Sequence, residues 1–580
     1  MSIKITKYIG TLLLLAAFAL KADGQMQVLN QQDNIKVAGI TNDAAIDALT
    51  VTGKQTIYQY SDGFGRPVET VVGNGTPLQK DFIQPVAYDA FGGVTTNLLP
   101  YTDNNTGGYF RGGAGSTAQA TFYNTTATYL VARDNSPYSS TVFESSPLRR
   151  VLQAGMVGDG FQPGVAGAHF KSVNYRSNNT TADGNIFVWF PDGTYVPGTL
   201  YGANSLSVTE GIDEDGVTTR VFTDVAGHTV LKRQIHSGGN LDTYYVYNMA
   251  GMLTYVIPPA AVAQLAAHSY SLSASPINKM IFSYTYDAKG RLATKTVPSA
   301  AAVYYVYDYW NRPVLIQDGN LRAANKWNYI KYDVKGRVIS QGIYVDTAPG
   351  HQLQGDMQGY ADSFTTNWYE SRSATLTNGG YYTNSCFPTG GTALAYAYFD
   401  NYDIDNNGTD NFTYATQSDT NLPNEESATT ASLRGVPTMV SKTTVGSGLT
   451  STWLTTVTFF DKRGNPIQVQ SNNQVYYTSA TTLTDVKTIV PDFTGVPQVS
   501  KVTKKSGAST TTTVYTGLTY DHMYRITGVS QKYGTAAGGL TAVASYSYNE
   551  LGQVIQKGLG YVSSGVWLQN LDMRFNIRGQ

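Results

Sequence analysis

Short runs of β-branched and aromatic residues recur along this chain, and a polar turn interrupts them each time. Residues 242–247 (DTYYVY) lead into one such turn, and residues 338–344 (VISQGIY) lead out of another. Runs of strand-forming residues that are bounded by turn residues predict β-strands. The pattern therefore predicts a succession of strands joined by short reversals.

The turns share a motif: an aromatic residue, Asp or Asn, two variable residues, Gly or Asn, a polar residue and an aliphatic residue. An Asp or Asn side chain can bond its own backbone two residues on, and Gly or Asn takes positive φ at little cost. Each copy therefore predicts a β-hairpin turn. The Asp or Asn of successive copies is Asp62, Asp89, Asp224, Asn248, Asp287, Asp308, Asp333, Asp461, Asp492, Asp521, Asn549 and Asn576.

Tandem hairpins of this kind cannot bury their apolar faces one at a time. Neighbouring units must stack edge to edge, which builds one long twisted sheet. We therefore predict an all-β fold in which tandem β-hairpins form a curved or spiral open sheet, a partial shell, behind a β-rich N-terminal domain.

Composition and charge support the predicted fold class and limit the kinds of partner and of cysteine chemistry. The 580 residues include 43 Tyr and 58 Gly, with 14% charged residues and a net charge of -1. This balance favours strands and gives no electrostatic support for a nucleic-acid partner. A single cysteine, Cys386, excludes a disulfide within the chain, and we expect a buried thiol there rather than a nucleophile.

The N-terminus is typical of a signal peptide. Lys4 and Lys7 precede an apolar run over residues 9–20 that is too short to span a bilayer, and small residues follow. We expect cleavage after residue 24, secretion or cell-surface exposure, and no membrane span afterwards. An uncleaved N-terminal membrane anchor is the alternative.

The remaining chain divides by composition and by the spacing of the motif. We predict a linker over 25–44, the β-rich N-terminal domain over 45–205, and repeat blocks over 206–345 and 433–580. Between the blocks, residues 346–432 form an insertion with a short helix and a long exposed acidic loop. Helices are predicted within residues 258–268 and 351–371.

The acidic loop is the best candidate for a metal site. Asp403, Asp405, Asn407 and Thr409 match the first half of a calcium-loop pattern, because alternate acidic side chains and a Gly turn supply oxygen ligands. The second half fails, since Tyr414 stands where a bidentate Glu is expected, although Asp400 or Asp410 offer a carboxylate. The favoured alternative is a solvated, turn-rich loop, and we expect no other cofactor.

Arginine recurs at the polar position of the motif. We interpret this row as structural, and contact with a guest chain is the alternative. The row consists of Arg66, Arg291, Arg312, Arg337 and Arg525.

The motif resembles the YD repeat of RHS, toxin-complex and teneurin-type proteins. The N-terminal part resembles the uncharacterised domain that precedes such repeats in secreted Bacteroidota proteins, through residues 60–67 (YSDGFGRP), 146–151 (SPLRRV), 242–247 and 256–259 (VIPP). The resemblance covers roughly residues 45–580. It implies a spiralling β-sheet shell that can enclose a polypeptide, often a variable C-terminal toxin domain.

The sequence departs from that family pattern at its C-terminal side. It lacks the family's terminal core segment and a toxin-like domain, and it stops inside a repeat at Gly579 and Gln580. We therefore expect a secreted or cell-surface scaffold without a catalytic domain, the front part of a longer polypeptide or a truncated product. Its expected partner is a toxin or other guest polypeptide.

Two other functions remain open. A carbohydrate-binding surface module predicts exposed, coplanar Tyr pairs in a groove and a cell-surface carbohydrate partner. A secreted hydrolase predicts clustered carboxylates in a cleft, for example around residues 400–410. No catalytic motif in the sequence favours the hydrolase.

Overall fold

The computed structural model describes residues 5–8, 28–112, 117–124, 130–377, 379–428, 433–444, 452–535 and 538–580. Antiparallel strands dominate these residues, so the predicted all-β fold is confirmed. The strands in chain order are β1 (Ile5–Tyr8), β2 (Val28–Ile35), β3 (Lys54–Ser61), β4 (Pro67–Val72), β5 (Phe82–Pro85), β6 (Thr96–Leu98), β7 (Tyr101–Thr102), β8 (Tyr138–Phe143), β9 (Val151–Gly155), β10 (Lys171–Ser177), β11 (Ser207–Ile212), β12 (Thr218–Thr223), β13 (Thr229–His236), β14 (Gly239–Tyr247), β15 (Leu253–Ile257), β16 (Phe282–Tyr286), β17 (Leu292–Thr296), β18 (Val303–Tyr307), β19 (Pro313–Gln317), β20 (Lys326–Tyr332), β21 (Val338–Val345), β22 (Arg372–Thr377), β23 (Gly380–Tyr382), β24 (Thr392–Phe399), β25 (Pro437–Thr443), β26 (Trp453–Phe460), β27 (Pro466–Ser471), β28 (Asp485–Pro491), β29 (Pro497–Lys505), β30 (Thr511–Tyr520), β31 (Ile526–Tyr533), β32 (Thr541–Tyr548), β33 (Val554–Ser563) and β34 (Val566–Asp572).

Helices are short and lie between strands. Two of them fall where the sequence predicts helix: α4 begins at Pro259, the first residue after a proline cap, and α6 lies within residues 351–371. The helices are α1 (Asp43–Asp47), α2 (Thr117–Asn124), α3 (Thr180–Asp183), α4 (Pro259–Val262), α5 (Gly319–Ala323) and α6 (Gln354–Asp362). Within the described part of the chain, none of these helices is long and apolar enough to cross a membrane.

The strands form two principal sheets and a small hairpin. The first sheet has the order β1-β2-β3-β4-β5-β7 and belongs to the N-terminal region. Its strand β1 lies inside the predicted signal peptide, while residues 1–4 and 9–24 of that segment lie outside the described residues, so the signal peptide stays a prediction. The hairpin pairs β22 with β23.

The second sheet carries the repeats and is continuous. Each strand from β8 to β34 pairs antiparallel with the next, with β22 and β23 left out, and β6 pairs with β8. Among the described residues, no backbone ladder joins β34 to β6, so the predicted open sheet is confirmed. Many of its hairpin connections are the motif turns, such as that between β16 and β17.

A one-residue bulge precedes most of these turns. The register shifts at the motif aromatic, for example between Thr285 and Tyr286, between Val306 and Tyr307, and between Thr519 and Tyr520. A bulge bends its strand and increases the local right-handed twist. Because the bulge recurs with the motif, the bending accumulates and gives the sheet its curvature.

Segments between repeats pack on the sheet and make its core. Helix α6 places Met357 and Ala361 against Val306 and Trp327, and the connection before β11 places Ile186 against Tyr244. The acidic loop also enters the core, since Tyr402, Ile404 and Phe412 are buried. The loop predicted to be exposed is therefore exposed only in part, as over residues 406–411, because the buried side chains of Tyr402, Ile404 and Phe412 anchor it to the sheet.

Strands at the C-terminal end lack such a cover. Most residues of β31 are half-buried on both faces, and Val566 and Leu568 on β34 are exposed. The repeat sheet thus has a thick, packed middle and a thin end.

Candidate functional site: the repeat turns and the seam

Every motif copy folds as the same tight turn. In the copy at Asp287, Oδ1 accepts the backbone N–H groups of Lys289 and Arg291, both at 2.9 Å. The backbone N–H of Asp287 donates to the Arg291 carbonyl, and that of Gly290 donates to the Asp287 carbonyl. Gly290 has φ of 75°, the left-handed region that glycine occupies without cost. The predicted hairpin turn is confirmed.

A second set of contacts joins each copy to the next. The arginine donates through Nε to Oδ2 of its own Asp at 2.5–2.8 Å in the copies at Asp62, Asp287, Asp308, Asp333 and Asp521. Its guanidinium then lies over the aromatic ring of the following copy, as Arg312 does over Tyr332 at 4.4 Å. Cation–π stacking of this kind stabilises both partners. The structural interpretation of the arginine row is therefore confirmed for these contacts.

The motif tyrosine completes the link by reaching back to the previous copy. Its hydroxyl donates to the backbone carbonyl five residues after the earlier Asp, as Tyr332 does to Pro313 at 2.8 Å. Six further copies repeat this bond at 2.6–3.1 Å. Where arginine is missing, His228 fills its place: it faces Asp224 at 3.3 Å and stacks on Tyr247 at 4.6 Å.

Two repeat turns escaped the sequence reasoning. Asp213 makes the full set of turn bonds with Asp215 and Val217, although Ile212 replaces the aromatic residue. The spacing of Asp213 and Gly216 matches the motif, and it could have identified this turn from the sequence. Asp213, Asp215 and Gly216 by themselves predict a tight hairpin turn, which the structure shows; what the sequence reasoning missed is that this turn is a copy of the motif.

The other missed turn is split by the acidic loop. The backbone N–H of Asp400 donates to the Val436 carbonyl, and Phe399 pairs with Pro437. Gly435 has φ of 85° and donates to Asp400. Residues 401–432 are thus inserted inside one repeat turn. The two half-motifs, Phe399-Asp400 and Gly435-Val436-Pro437, match intact copies and were a usable signal.

Asp400 is held by the preceding copy rather than offered to a ligand. Arg337 donates to both its carboxylate oxygens at 3.1 and 2.8 Å and lies over the Phe399 ring at 4.2 Å. This arginine, which outweighs desolvation, holds the pKa of Asp400 far below its ordinary value. Asp400 is therefore engaged and does not complete a calcium site.

The four candidate calcium ligands lie close together but bond within their own loop. Asp403 accepts the backbone N–H groups of Asn407 and Gly408, Asp405 accepts the Asn407 side chain, and the Thr409 backbone N–H donates to Asn407. Despite some desolvation, these N–H groups lower the pKa of Asp403. In the described residues, no group of three or more His, Cys, Asp or Glu side chains is arranged to hold a metal ion. Calcium binding stays a prediction.

Cys386 is a buried free thiol, as expected. Burial raises its pKa well above the ordinary value, with the Glu370 carboxylate adding to the effect. A thiol that resists ionisation is a poor nucleophile. The cysteine therefore has a packing role.

The last repeats return to the N-terminal region at a contact that we call the seam. On the repeat side it consists of His522, Arg525, Asn549, Ile577 and Arg578. His522 Nε2 lies 2.6 Å from the Asn74 carbonyl, Arg525 donates to the Gly75 carbonyl at 3.2 Å, Asn549 donates to the Leu130 carbonyl at 3.2 Å, and Lys36 donates to the His522 carbonyl. Ile577 packs on the cluster around Tyr101, and Arg578 lies over Phe161 at 4.4 Å.

A cavity of about 970 Å³ adjoins this seam. Strand β2 and the turns of the copies at Asp461, Asp492 and Asp521 line it. Its walls mix aromatic and charged groups, namely Phe493, Tyr524, Lys36 and Arg463. Arg463 is already bonded to Asp461, Glu426 and the Phe493 carbonyl.

In comparison with known proteins, the N-terminal region is similar to an uncharacterised family. Residues 33–176 match the family described as "Domain of unknown function (DUF6443)". This confirms the uncharacterised domain that the sequence predicts ahead of the repeats, and the Bacteroidota lineage stays a prediction. No curated protein matches the chain.

Among solved structures, those of Tc toxin components are similar to this chain. The crystal structure of TcdB2-TccC3-TEV matches with a TM-score of 0.42 and 12% identity over 94% of this chain and 24% of that chain. The crystal structure of TcdB2-TccC3 matches with a TM-score of 0.39 and 13% identity, over 92% of this chain and 23% of that chain. The structure of the Photorhabdus luminescens Tc holotoxin pore matches with a TM-score of 0.38 and 13% identity, over 94% of this chain and 23% of that chain. This chain spans about a quarter of the length of these structures.

Proposed function

We propose that this chain is a secreted or cell-surface scaffold of the RHS/YD type, the shell-forming part of a toxin-associated protein, without a catalytic domain of its own. The observation that carries the proposal is the continuity of the repeat sheet. Its ladder runs unbroken from β6 to β34 and includes the motif copies from Asp224 to Asn549, and the seam brings the last copies back to the N-terminal region. A sheet that curves back on its beginning bounds a space in which a polypeptide can be held.

The candidate catalytic groups support a non-enzymatic role. Cys386 is buried, Asp400 is bound by Arg337, and Asp403 and Asp405 accept hydrogen bonds from their own loop. A general acid or nucleophile needs access to a substrate and a pKa suited to proton transfer. Cys386 lacks that access, and the three carboxylates are already engaged by groups of the protein, which counts against the hydrolase.

Protease protection tests the enclosure of a guest. An unstructured, lysine-rich reporter is fused after Gln580, and its cleavage by trypsin is compared with that of the free reporter. Enclosure predicts at least a tenfold slower cleavage of the fused reporter under native conditions, with equal rates once the shell is denatured. Equal rates under native conditions would contradict the proposal.

Export is tested separately. Fractionation of the producing cells is expected to place the chain outside the cytoplasm, with an N-terminal peptide that begins at Gln25. A cytoplasmic chain that retains residues 1–24 would refute secretion. The scaffold role would not be affected by that result, because the reporter experiment tests it independently.

An exposed aromatic cluster favours a second function, carbohydrate binding. Tyr309 and Trp310 are each 62% exposed, and Tyr309 stacks on Trp368 with ring centroids 5.0 Å apart and planes at 13°. Flat exposed rings are suited to stacking on sugars. A glycan array with the wild-type protein and a Trp310→Ala variant tests it: binding that the variant abolishes supports this function, and an array without binding rejects it.

A further inference from the structure

Three reactive side chains, the buried Lys331 and Glu370 and the half-buried Asn384, join the segment between β21 and β24 to strand β20. Lys331 on β20 and Glu370, just before β22, are 4% and 2% exposed. Lys331 Nζ donates to Glu370 Oε1 at 2.8 Å and also contacts Asn384 Oδ1. An amine, an amide carbonyl and a carboxylate therefore meet at one nitrogen atom.

The surroundings of the trio are aromatic and tightly packed. The Tyr329 ring centroid lies 6.0 Å from Lys331 Nζ, and Tyr382 of β23 and Tyr396 of β24 line the same small cavity. The cavity that these residues line measures about 10 Å³, which is about the space of one water molecule. An ion pair in such a place costs desolvation energy, and that cost favours any reaction that consumes the charges.

We propose that Lys331 and Asn384 become joined by an isopeptide bond, with Glu370 as the acid–base group of the reaction. The bond is an amide between Lys331 Nζ and Asn384 Cγ. It would fix the insertion to β20 covalently, in a chain whose single cysteine excludes an intrachain disulfide.

The reaction balances without any co-reactant. Glu370 accepts a proton from the Lys331 ammonium, and the free amine attacks Asn384 Cγ. The carbonyl oxygen that becomes negative accepts the Gly390 backbone N–H, which lies 3.2 Å away in the present structure. Glu370 gives its proton to Nδ2 and accepts the second proton from the attacking Lys331 nitrogen. The bond from Cγ to Nδ2 then breaks as the carbonyl re-forms, and ammonia departs and takes the proton of Glu370 with it as ammonium.

The site is organised around the carboxylate of Glu370. Besides Lys331, it accepts hydrogen bonds from Thr383, Ser385 and the Cys386 backbone. Burial works against ionisation, but Lys331 and these donors outweigh it and lower the pKa of Glu370. Glu370 is therefore ionised at rest, and a proton transfer to it from Lys331 begins the reaction.

Peptide mapping of the purified wild-type chain tests the proposal. Trypsin cannot cleave after an acylated lysine, so the bond joins residues 327–335 to residues 373–434 in one branched peptide, lighter than its two parts by ammonia, about 17 Da. Intact mass alone is insufficient, because cyclisation of an N-terminal Gln25 also releases ammonia. Cleavage after Lys331 with both peptides unmodified would overturn the proposal, as would a branched peptide lighter by water, which would place the bond elsewhere.

Variants separate the roles of the three residues. Asn384→Ala is expected to abolish the branched peptide because the electrophile is gone, and Glu370→Gln is expected to reduce it at least tenfold. A Glu370→Gln chain that is fully linked would overturn the acid–base role. Lys501→Met is the matched control, because it removes another lysine of an ion pair, that with Asp419 at 2.9 Å, and is expected to leave the branched peptide unchanged.

Discussion

At the scale of single residues, the motif aspartate has more than one role. Its Oδ1 satisfies two backbone N–H groups of the turn, and its Oδ2 orients the arginine that covers the next copy. Loss of a side-chain acceptor at such a position leaves orphaned donors, which costs more than the bonds themselves contribute. An Asp or Asn recurs at this position in the copies from Asp62 to Asn576, which is consistent with the role of its side chain in the turn.

We predict that Asp333→Ala weakens its turn by about 1–2 kcal/mol, the usual cost of losing a side-chain cap. The measurement is native-state hydrogen exchange at Lys335 and Arg337, which should become faster by roughly tenfold. Val334→Ala is the control in the same turn, since Val334 is 70% exposed. Equal protection in Asp333→Ala and Val334→Ala would show that the carboxylate does not hold the turn.

Acid should weaken the turns through the same carboxylates. Desolvation opposes ionisation of Asp521, but the hydrogen bonds of Arg525 outweigh it, so the pKa of Asp521 is lowered from 3.8. A group with a lowered folded-state pKa stabilises the fold above its unfolded pKa, and this stability is lost as pH falls through the folded pKa. The contribution of Asp521 is therefore present at neutral pH and disappears below a pH of about 3.8.

Asp521→Asn isolates that contribution, because Asn549 shows that the turn accepts an amide. We predict a lower thermal unfolding midpoint for the variant at pH 7 and convergence with wild type at a pH of about 2.5. Asp572→Asn, which changes an exposed carboxylate outside the turns, should shift the midpoint equally at both pH values. A constant difference between Asp521→Asn and wild type would contradict the argument.

At the scale of elements, the sequence predicts what is local. The hairpin turns, the open sheet and two short helices follow from residues close in sequence, such as Asp287 with Gly290. The split turn was missed because its halves, Asp400 and Gly435, are separated by an insertion, and motif reading assumes contiguity. The buried Lys331–Glu370 pair was missed for a similar reason: neither residue belongs to a motif, and folding alone brings them together.

Deletion of residues 401–432 should restore an ordinary repeat turn. The deletion joins Asp400 to Leu433 and creates Phe399-Asp400-Leu433-Arg434-Gly435-Val436, the spacing of the intact copies. We predict that the β-type circular dichroism is retained, because the ladder between β24 and β25 keeps its register. The thermal midpoint should fall by several degrees, since Phe459 loses the cover of Tyr402.

A control deletion of the same length sharpens this test. Removal of residues 399–430 takes away the same number of residues but removes Phe399 and Asp400, the first half of the motif. It should disrupt the pairing of β24 with β25 and aggregate or unfold. If both deletions behave alike, the insertion does not lie inside a repeat turn.

At the scale of the whole molecule, curvature arises from a small irregularity repeated many times. Each bulge turns its hairpin slightly, and each arginine and tyrosine fixes one copy on the next. The seam is the outcome, and it joins residues more than 400 positions apart, as in the pair of His522 and Asn74. No local pattern marks His522 or Ile577 as contact residues, because the register of the seam depends on the summed twist of all the copies.

The seam should open when its apolar contact is replaced by a charge. Ile577 packs on the cluster of Tyr101 and Phe122, so Ile577→Asp would bury a carboxylate without a partner, which costs several kcal/mol or forces separation. We predict a larger maximum dimension in small-angle X-ray scattering and faster hydrogen exchange at Asn74 and Leu130, with the repeat turns unchanged. Leu568→Asp is the control, since Leu568 is 80% exposed on the last strand and should leave both measurements as in wild type. If Ile577→Asp also leaves the dimension and the exchange unaltered, the shell is closed by contacts other than the seam, and the enclosure of a guest would need a different physical basis.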